Sequence, residues 1–151
     1  MIIRKGLKLL DKLLIFILAF MGLGSCDVNE PAEYGTPNAD YQFNGTITDS
    51  VLGSPLKNIR VISRSKENPL YGAIDTVYTG ADGTYKIEFN DFAYTEFTLK
   101  IEDIDGVNNG GEFEAQEKSV TITSTDWVNK SQGDWYEGKA VKIVDIKMKP
   151  K

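Results

Sequence analysis

The side chains able to do chemistry in this chain are carboxylates and one cysteine. The 151 residues include no histidine and a single cysteine, Cys26, alongside 22 acidic and 17 basic residues. Histidine is the usual general base at neutral pH and the commonest ligand for transition metals, so Ser-His-Asp catalysis, Cys-His catalysis and the common zinc sites are excluded. Paired carboxylates such as Asp103 with Asp105 arise by chance in so acidic a chain. The sequence therefore predicts a protein that is not an enzyme.

The densest group of oxygen ligands lies in residues 102–112, with the sequence EDIDGVNNGGE. Carboxylate and amide oxygens are the ligands that calcium prefers, so calcium is the one cofactor that the sequence suggests. The candidate ligands are Asp103, Asp105, Asn109 and Glu112. An EF-hand requires glycine at its sixth loop position, where Asn108 stands here. The alternative is a glycine-rich connection whose Asp and Asn side chains hydrogen-bond their own backbone, and the sequence leaves both interpretations open.

Three large aromatic side chains lie in Ser124 to Lys139, a polar segment that lacks the alternation of a strand. They are Trp127, Trp135 and Tyr136. Exposed aromatic rings suit a sugar or protein partner, which makes these residues candidates for a ligand-binding site. The favoured alternative is that the rings fold back and cover an open end of the protein core, with their polar tips in water.

The first 25 residues have the order of a bacterial signal peptide. A positive segment with Arg4, Lys5, Lys8 and Lys12 precedes an apolar run from Leu13 to Phe20. That run is too short to span a bilayer, which needs about 20 apolar residues. Leu23 to Cys26 (LGSC) resembles the lipobox of bacterial lipoproteins, in which the cysteine thiol receives a diacylglyceryl group and the cysteine amine becomes the new N-terminus. Cys26 is thus the predicted lipidation site, and a free cysteine beside an ordinary signal peptide is the alternative.

Charge and composition divide the remaining chain into a tether and one domain. Residues 26–151 keep 13 basic and 21 acidic residues, a net charge of −8, which argues against binding to nucleic acid. The segment Asp27 to Asp40 contains two prolines, a glycine and four acids without apolar periodicity, as tethers do. We therefore predict a signal peptide at 1–25, the lipidated cysteine with its tether at 26–40, and one domain at 41–151.

Alternation of apolar and polar residues predicts that this domain is all-β. Seven strands are expected, at Phe43–Thr48, Ile59–Arg64, Ile74–Tyr78, Thr84–Phe89, Phe97–Glu102, Phe113–Ile122 and Ala140–Met148. The Asp-Gly pair at 82–83 favours a tight hairpin in which the third and fourth strands pair antiparallel. In the last strand, Val144, Ile146 and Met148 share the face that we expect to be buried. Short strands separated by turn signals predict a seven-stranded antiparallel β-sandwich.

Two stretches of the chain carry a family resemblance. The segments FNGTITDSVLGSPLKNIRVISRS and DTVYTGADGTYKIEF resemble the carboxypeptidase regulatory-like, or transthyretin-like, β-sandwich. Over a greater length, the segments GSC, EYGTPNADYQFNGTITD, IEDIDGVNNGGEF and WYEG are similar to Bacteroidetes radical SAM-associated lipoproteins. The second resemblance implies a gene neighbourhood with a radical SAM enzyme and no established activity. Dioxygenases of the sandwich fold need histidine ligands, so the resemblance does not bring that activity to this chain.

Three functions are consistent with these observations. The first is a non-enzymatic, lipid-anchored binding or interaction module of the bacterial cell envelope, expected at the outer membrane, whose partner is an unknown envelope protein or glycan. The second is a substrate or accessory of a radical SAM modifying enzyme, which the family resemblance implies. The third is a carbohydrate-binding surface lipoprotein that uses Trp127, Trp135 and Tyr136.

Overall fold

The computed structural model describes residues 36–72, 74–131 and 135–151, together with Lys12 and Phe16, which are helical. The chain divides into two compact units, Met1–Tyr34 and Gly35–Lys151. The predicted lipidation site Cys26, nearly all of the predicted signal peptide and most of the tether lie outside the described residues. None of the helical segments among the described residues is long and apolar enough to cross a membrane.

The described residues between 36 and 151 form two β-sheets that face each other, which confirms the predicted all-β sandwich. The described strands are β1 (Asn38–Asp49), β2 (Ile59–Ser65), β3 (Asp75–Tyr78), β4 (Thr84–Phe92), β5 (Glu96–Asp103), β6 (Gln116–Thr121), β7 (Trp127–Lys130), β8 (Tyr136–Ile143) and β9 (Ile146–Met148). The first sheet has the order β4-β1-β8-β7, with β9 also paired to β1, and the second has the order β3-β2-β5-β6. Two short 3-10 helices, Pro69–Tyr71 and Asn108–Gly110, lie in connecting loops.

The core between the sheets follows the alternation seen in the sequence. Tyr41 and Phe43 of β1 point inward and are almost fully buried, as are Phe97, Leu99 and Ile101 of β5. The buried tip of Tyr41 is satisfied, because its hydroxyl donates to the carbonyl oxygen of Tyr94 at 2.7 Å and lies 3.2 Å from that of Phe92. Burial raises the pKa of this hydroxyl well above its usual value. The ring is therefore neutral and part of the core at any physiological pH.

The number of strands differs from the predicted seven, because the described residues form nine. β7 lies inside the polar segment that lacks a strand pattern, and a register shift between Trp127 and Asn129 explains the missing alternation. The last predicted strand is divided into β8 and β9 at Val144, where the chain crosses close to Gly45. Val144, Ile146 and Met148 are buried, as predicted.

The pairing of β1 also differs from the antiparallel prediction. β1 pairs antiparallel with β4 but parallel with both β8 and β9. The crossing at Val144 is held by its amide, which donates to the Asn44 carbonyl at 2.8 Å, and by its carbonyl, which accepts the Tyr85 hydroxyl at 2.7 Å. Parallel pairing joins strands that are distant in sequence, so local spacing does not reveal it. β1 also begins at Asn38, three residues before the predicted domain boundary.

The predicted hairpin between the third and fourth strands is wrong. β3 pairs with β2 in one sheet and β4 pairs with β1 in the other, so residues 79–83 connect the two sheets. Thr79 at the start of this connection is buried, and its hydroxyl accepts the Ile59 amide and donates to the Leu56 carbonyl. The Asp-Gly pair does supply the expected positive φ, at +73° for Gly83. These bonds to β2 and to its preceding loop hold Thr79 on the second sheet, so the chain leaves that sheet before β4 begins.

Gly83 and Gly53 allow a test of how tightly this connection is packed. Both have a φ near +70°, but a Cβ on Gly83 would lie 2.6 Å from the Ile47 carbonyl oxygen, whereas a Cβ on Gly53 would meet nothing within 4 Å. We expect Gly53→Ala to lower the free energy of unfolding by about 1 to 2 kcal/mol, the cost of the left-handed backbone alone. Gly83→Ala should cost about 2 kcal/mol more, because the backbone around Ile47 must also move. Urea unfolding measures both values, and equal losses would contradict the close packing.

Candidate functional site

Three segments meet at the end of the sandwich opposite the start of β1. β1 runs from Asn38 to Asp49, a length of about 36 Å at about 3.3 Å per residue, so the turn after it lies at the far end. The amide of Glu114 donates to the Lys149 carbonyl, and the amide of Lys151 donates to the Glu112 carbonyl. We name residues 50–54, 104–115 and 149–151 the distal loop cluster. Its segments line an open groove of about 540 Å³.

The turn after β1 is built around the carboxylate of Asp49, which is only 4% exposed. One of its oxygens accepts the Val51 amide at 2.7 Å and the Leu52 amide at 3.3 Å, as a turn-forming aspartate does. Gly53 closes the turn with a φ of +71° and donates its amide to the Asp49 carbonyl. These hydrogen bonds to Asp49 fix the backbone of the turn. The side chains of Val51 and Leu52 point into solvent, 74% and 77% exposed.

The loop between β5 and β6 is closed by another aspartate. One carboxylate oxygen of Asp103 accepts the Asp105 amide at 3.2 Å, and the other accepts the Phe113 amide at 3.0 Å. Phe113 is buried and forms the inner wall of the groove. Between these anchored ends the loop presents Val107, whose side chain is 80% exposed.

The distal loop cluster therefore exposes four aliphatic residues, Val51, Leu52, Val107 and Ile104, the last of which is 45% exposed and does not line the groove. Val51, Leu52 and Val107 all line the same groove. Exposed apolar side chains that are grouped in this way mark interaction sites, because a monomer gains nothing from leaving them in water. Sequence analysis did not identify these residues. The available signal was the aliphatic pair that follows Asp49 and Ser50, a position where a turn needs only polar residues.

The four predicted calcium ligands all lie in or beside this loop, but each carboxylate already has partners. Asp105 accepts side-chain amide hydrogen bonds from Asn58 at 3.0 Å and from Asn109, and these bonds hold the pKa of its carboxyl below the usual value. Glu112 forms an ion pair with Lys151 at 2.6 Å. The described part of the chain contains no group of three or more acidic, histidine or cysteine side chains arranged to hold a metal ion. The calcium site stays a prediction.

The three predicted ligand-binding aromatic residues lie on or next to the first sheet, away from the distal loop cluster. Trp127 in β7 is partly buried and packs against the core, with its ring centroid 6.4 Å from that of Tyr41. Tyr136 at the start of β8 is 39% exposed and donates its hydroxyl to Asp40 at 2.6 Å. Trp135, just before β8, is partly buried, and its carbonyl accepts the Asn38 amide. The position of Trp127 fits a ring that covers the core, and the glycan site stays a prediction.

Comparison with known proteins supports the fold. No protein-family model matches the chain, and no curated protein sequence matches it. Among solved structures, BcpA, the major pilin subunit of Bacillus cereus, superposes with a TM-score of 0.51 at 10% identity, covering 75% of this chain and 31% of the pilin. GBS52, a minor pilin of Streptococcus agalactiae, has a TM-score of 0.42 at 14% identity, covering 77% of this chain and 46% of that pilin. The 3-chlorocatechol 1,2-dioxygenase of Rhodococcus opacus has a TM-score of 0.45 at 10% identity, covering 81% of this chain and 63% of the enzyme.

The chain thus spans about a third of the major pilin and less than two thirds of the other two proteins. At such low identity the similarity concerns the fold alone. The similarity to the major pilin agrees with the β-sandwich and leaves the function to be argued from the site.

The lowered pKa of Asp105 leads to a prediction about loop 104–115. Asn58→Ala removes the largest stabilising contact of the carboxylate, so the pKa of Asp105 should rise toward its usual value of about 3.9. In the wild-type protein the pKa of Asp105 is lowered by folding, so its hydrogen bonds stabilise the loop at any pH above the unfolded-state pKa. This stabilisation is lost as the pH falls through the lower pKa of the folded state. NMR titration of the side-chain carboxyl carbons measures this shift. Asp82, which is bonded to Thr84 in another loop, is the internal control and should titrate unchanged.

Proposed function

We propose that this protein is a non-enzymatic binding module of the bacterial cell envelope, held at the outer membrane by a lipid on Cys26, and that the distal loop cluster binds an envelope protein. The observation that carries this proposal is the exposure of Val51, Leu52 and Val107 around one groove. These side chains gain free energy only when a partner covers them.

The composition of the groove favours a protein partner over a sugar. Its exposed lining is aliphatic, and its one aromatic ring, Phe113, is 3% exposed and has no open face on which a sugar ring could stack. The rim carries the ion pair between Glu112 and Lys151 and is polar. An apolar centre within a polar rim is the usual arrangement of a protein-protein interface.

Two features support a role without catalysis. The chain has no histidine, so proton transfer near neutral pH would depend on carboxylates with a raised pKa. In the groove, Glu112 is paired with Lys151, and the Asp49 carboxylate is occupied by the backbone of its own turn. Both carboxylates therefore already have partners within the protein.

Mutation of the exposed aliphatic side chains tests the binding surface. When Leu52 is replaced by a photo-crosslinking amino acid, we expect the chain to capture one envelope protein of the native host. That captured protein, once purified, should bind the chain without the crosslinker. Replacing all three side chains, as Val51→Ser, Leu52→Ser and Val107→Ser, should weaken that binding about tenfold or more, because central apolar contacts dominate interfaces.

Ile143→Ser is the matched control, since Ile143 is 70% exposed but lies on β8, outside the groove. It should leave both binding and crosslinking at Leu52 unchanged. An equal loss of binding in the control and in the triple variant, or undiminished binding in the triple variant, would rule out the distal loop cluster as the binding surface.

The lipid anchor is tested separately at Cys26. Cys26→Ala should leave an uncleaved precursor that incorporates no labelled fatty acid, because the thiol that receives the lipid is gone. The intact mass of protein purified from its own host should equal the chain from Cys26 onward plus the lipid. Normal labelling of the variant would refute the lipid anchor. Extra mass mapped to a residue of the folded domain would instead support the role as a radical SAM substrate.

A further inference from the structure

One edge strand of the sandwich, β4, is long and regular, and among the described strands it pairs only with β1. Proteins usually protect sheet edges with short strands, bulges or charged side chains that cover the backbone. Among the described strands at sheet edges, β3 and β7 have four residues each and β9 has three, and β7 also carries a register shift. At the β6 edge, the ammonium group of Lys142 binds the Thr121 carbonyl at 2.7 Å. β4 has nine residues, without proline and without a register shift against β1.

The register between β1 and β4 shows which backbone groups of β4 are free. The Ile47 amide donates to the Gly83 carbonyl, so residues with odd numbers in β4 bond to β1. The amides and carbonyls of Lys86, Glu88 and Asn90 therefore point away from the sheet. Within the part of the chain that the structure describes, none of these backbone groups has a hydrogen-bond partner. β4 thus offers a ready template for one more strand.

The charged side chains of β4 indicate which strand, in which register, would pair with this edge. Lys86 and Glu88 lie on the outer face of β4, on either side of Ile87, and form an ion pair at 2.9 Å. If a second copy pairs antiparallel about a twofold axis at Ile87, Lys86 of each copy lies opposite Glu88 of the other, and the two residues exchange both backbone hydrogen bonds. Centring the axis on Glu88 would oppose two carboxylates, and centring it on Lys86 would oppose two ammonium groups. Both of these registers are unfavourable.

We propose that two copies of this chain associate through their β4 edges in this register, joining the two first sheets into one continuous sheet. On the inner face the same register places Tyr85 of one copy opposite Phe89 of the other, a pair that stabilises antiparallel strands. The hydrogen-bonded edge supplies the contact, and the two Lys86–Glu88 pairs fix the register. This association is independent of the distal loop cluster.

Two charge reversals and their mixture test the proposal. Native mass spectrometry of the full chain, released from detergent micelles, should show a dimer that grows with concentration. Lys86→Glu alone and Glu88→Lys alone each place like charges opposite one another at both symmetry-related sites, so each should weaken the dimer about tenfold or more. In an equimolar mixture, every acidic position of one variant meets a basic position of the other. The heterodimer should therefore form at wild-type strength.

A charge reversal at a different edge is the matched control. Lys118→Glu on β6 changes an exposed charge far from Ile87 and should leave the dimer intact. Circular dichroism and thermal unfolding check that all variants fold. A monomeric wild-type chain, dimers that persist in both single variants, or a mixture that stays monomeric would each overturn the proposal. Binding of β4 to a peptide of another protein while the chain stays monomeric would assign the edge to a different partner and equally overturn it.

Discussion

The packing of aromatic rings from both sheets is the contact on which the rest of the structure depends. Tyr41 of β1 meets Phe97 of β5 with ring centroids 4.7 Å apart, and Phe43 meets the same ring at 5.3 Å. Phe89 of β4 closes the group at 5.6 Å from Phe43. Each buried ring contributes about 1.5 to 3 kcal/mol, and the edge-to-face arrangement adds about 0.5 to 1.5 kcal/mol per pair. With one cysteine in the chain, no intramolecular disulfide supports this core.

β1 supplies two of these rings and lies in the middle of its sheet, between β4 and β8. The local alternation that buries Phe43 is visible in the sequence, as is that of Phe97 in β5, whereas Tyr41 lies before the predicted first strand. The choice of partners is not visible. Asp82 and Gly83 determine a backbone angle, whereas the connection between the sheets is determined by Thr79, whose hydroxyl bonds to Ile59 and Leu56. A turn motif predicts φ, and tertiary hydrogen bonds decide which strands pair.

At the candidate site, too, the sequence shows local chemistry but does not show tertiary contacts. Sequence analysis selected Asp103 and Asp105 because their side chains are chemically capable. In the structure Asp103 accepts the backbone amides that close its loop, the role that the alternative interpretation of this segment described. The groove residues Val51, Leu52 and Val107 were missed because exposure is a tertiary property. The aliphatic pair after Asp49 and Ser50 stands out in the sequence of a turn, but the sequence does not show whether such side chains are exposed or fold back onto the core. The aspartates hold the turns, and the turns present the aliphatic side chains.

The two proposed surfaces together restrict how a pair of chains presents its two grooves. In the β4 dimer the strands of the two copies run in opposite directions, so the two distal loop clusters lie at opposite ends. Asn38 pairs with Phe92, five residues from Ile87, which places the start of β1 in each copy about 17 Å from the twofold axis along the strand. Within each copy, the start of β1 and the distal loop cluster lie at opposite ends of the sandwich. The start of β1 in one copy therefore lies at the same end of the joined sheet as the distal loop cluster of the other copy, and the two grooves face in opposite directions along the strands.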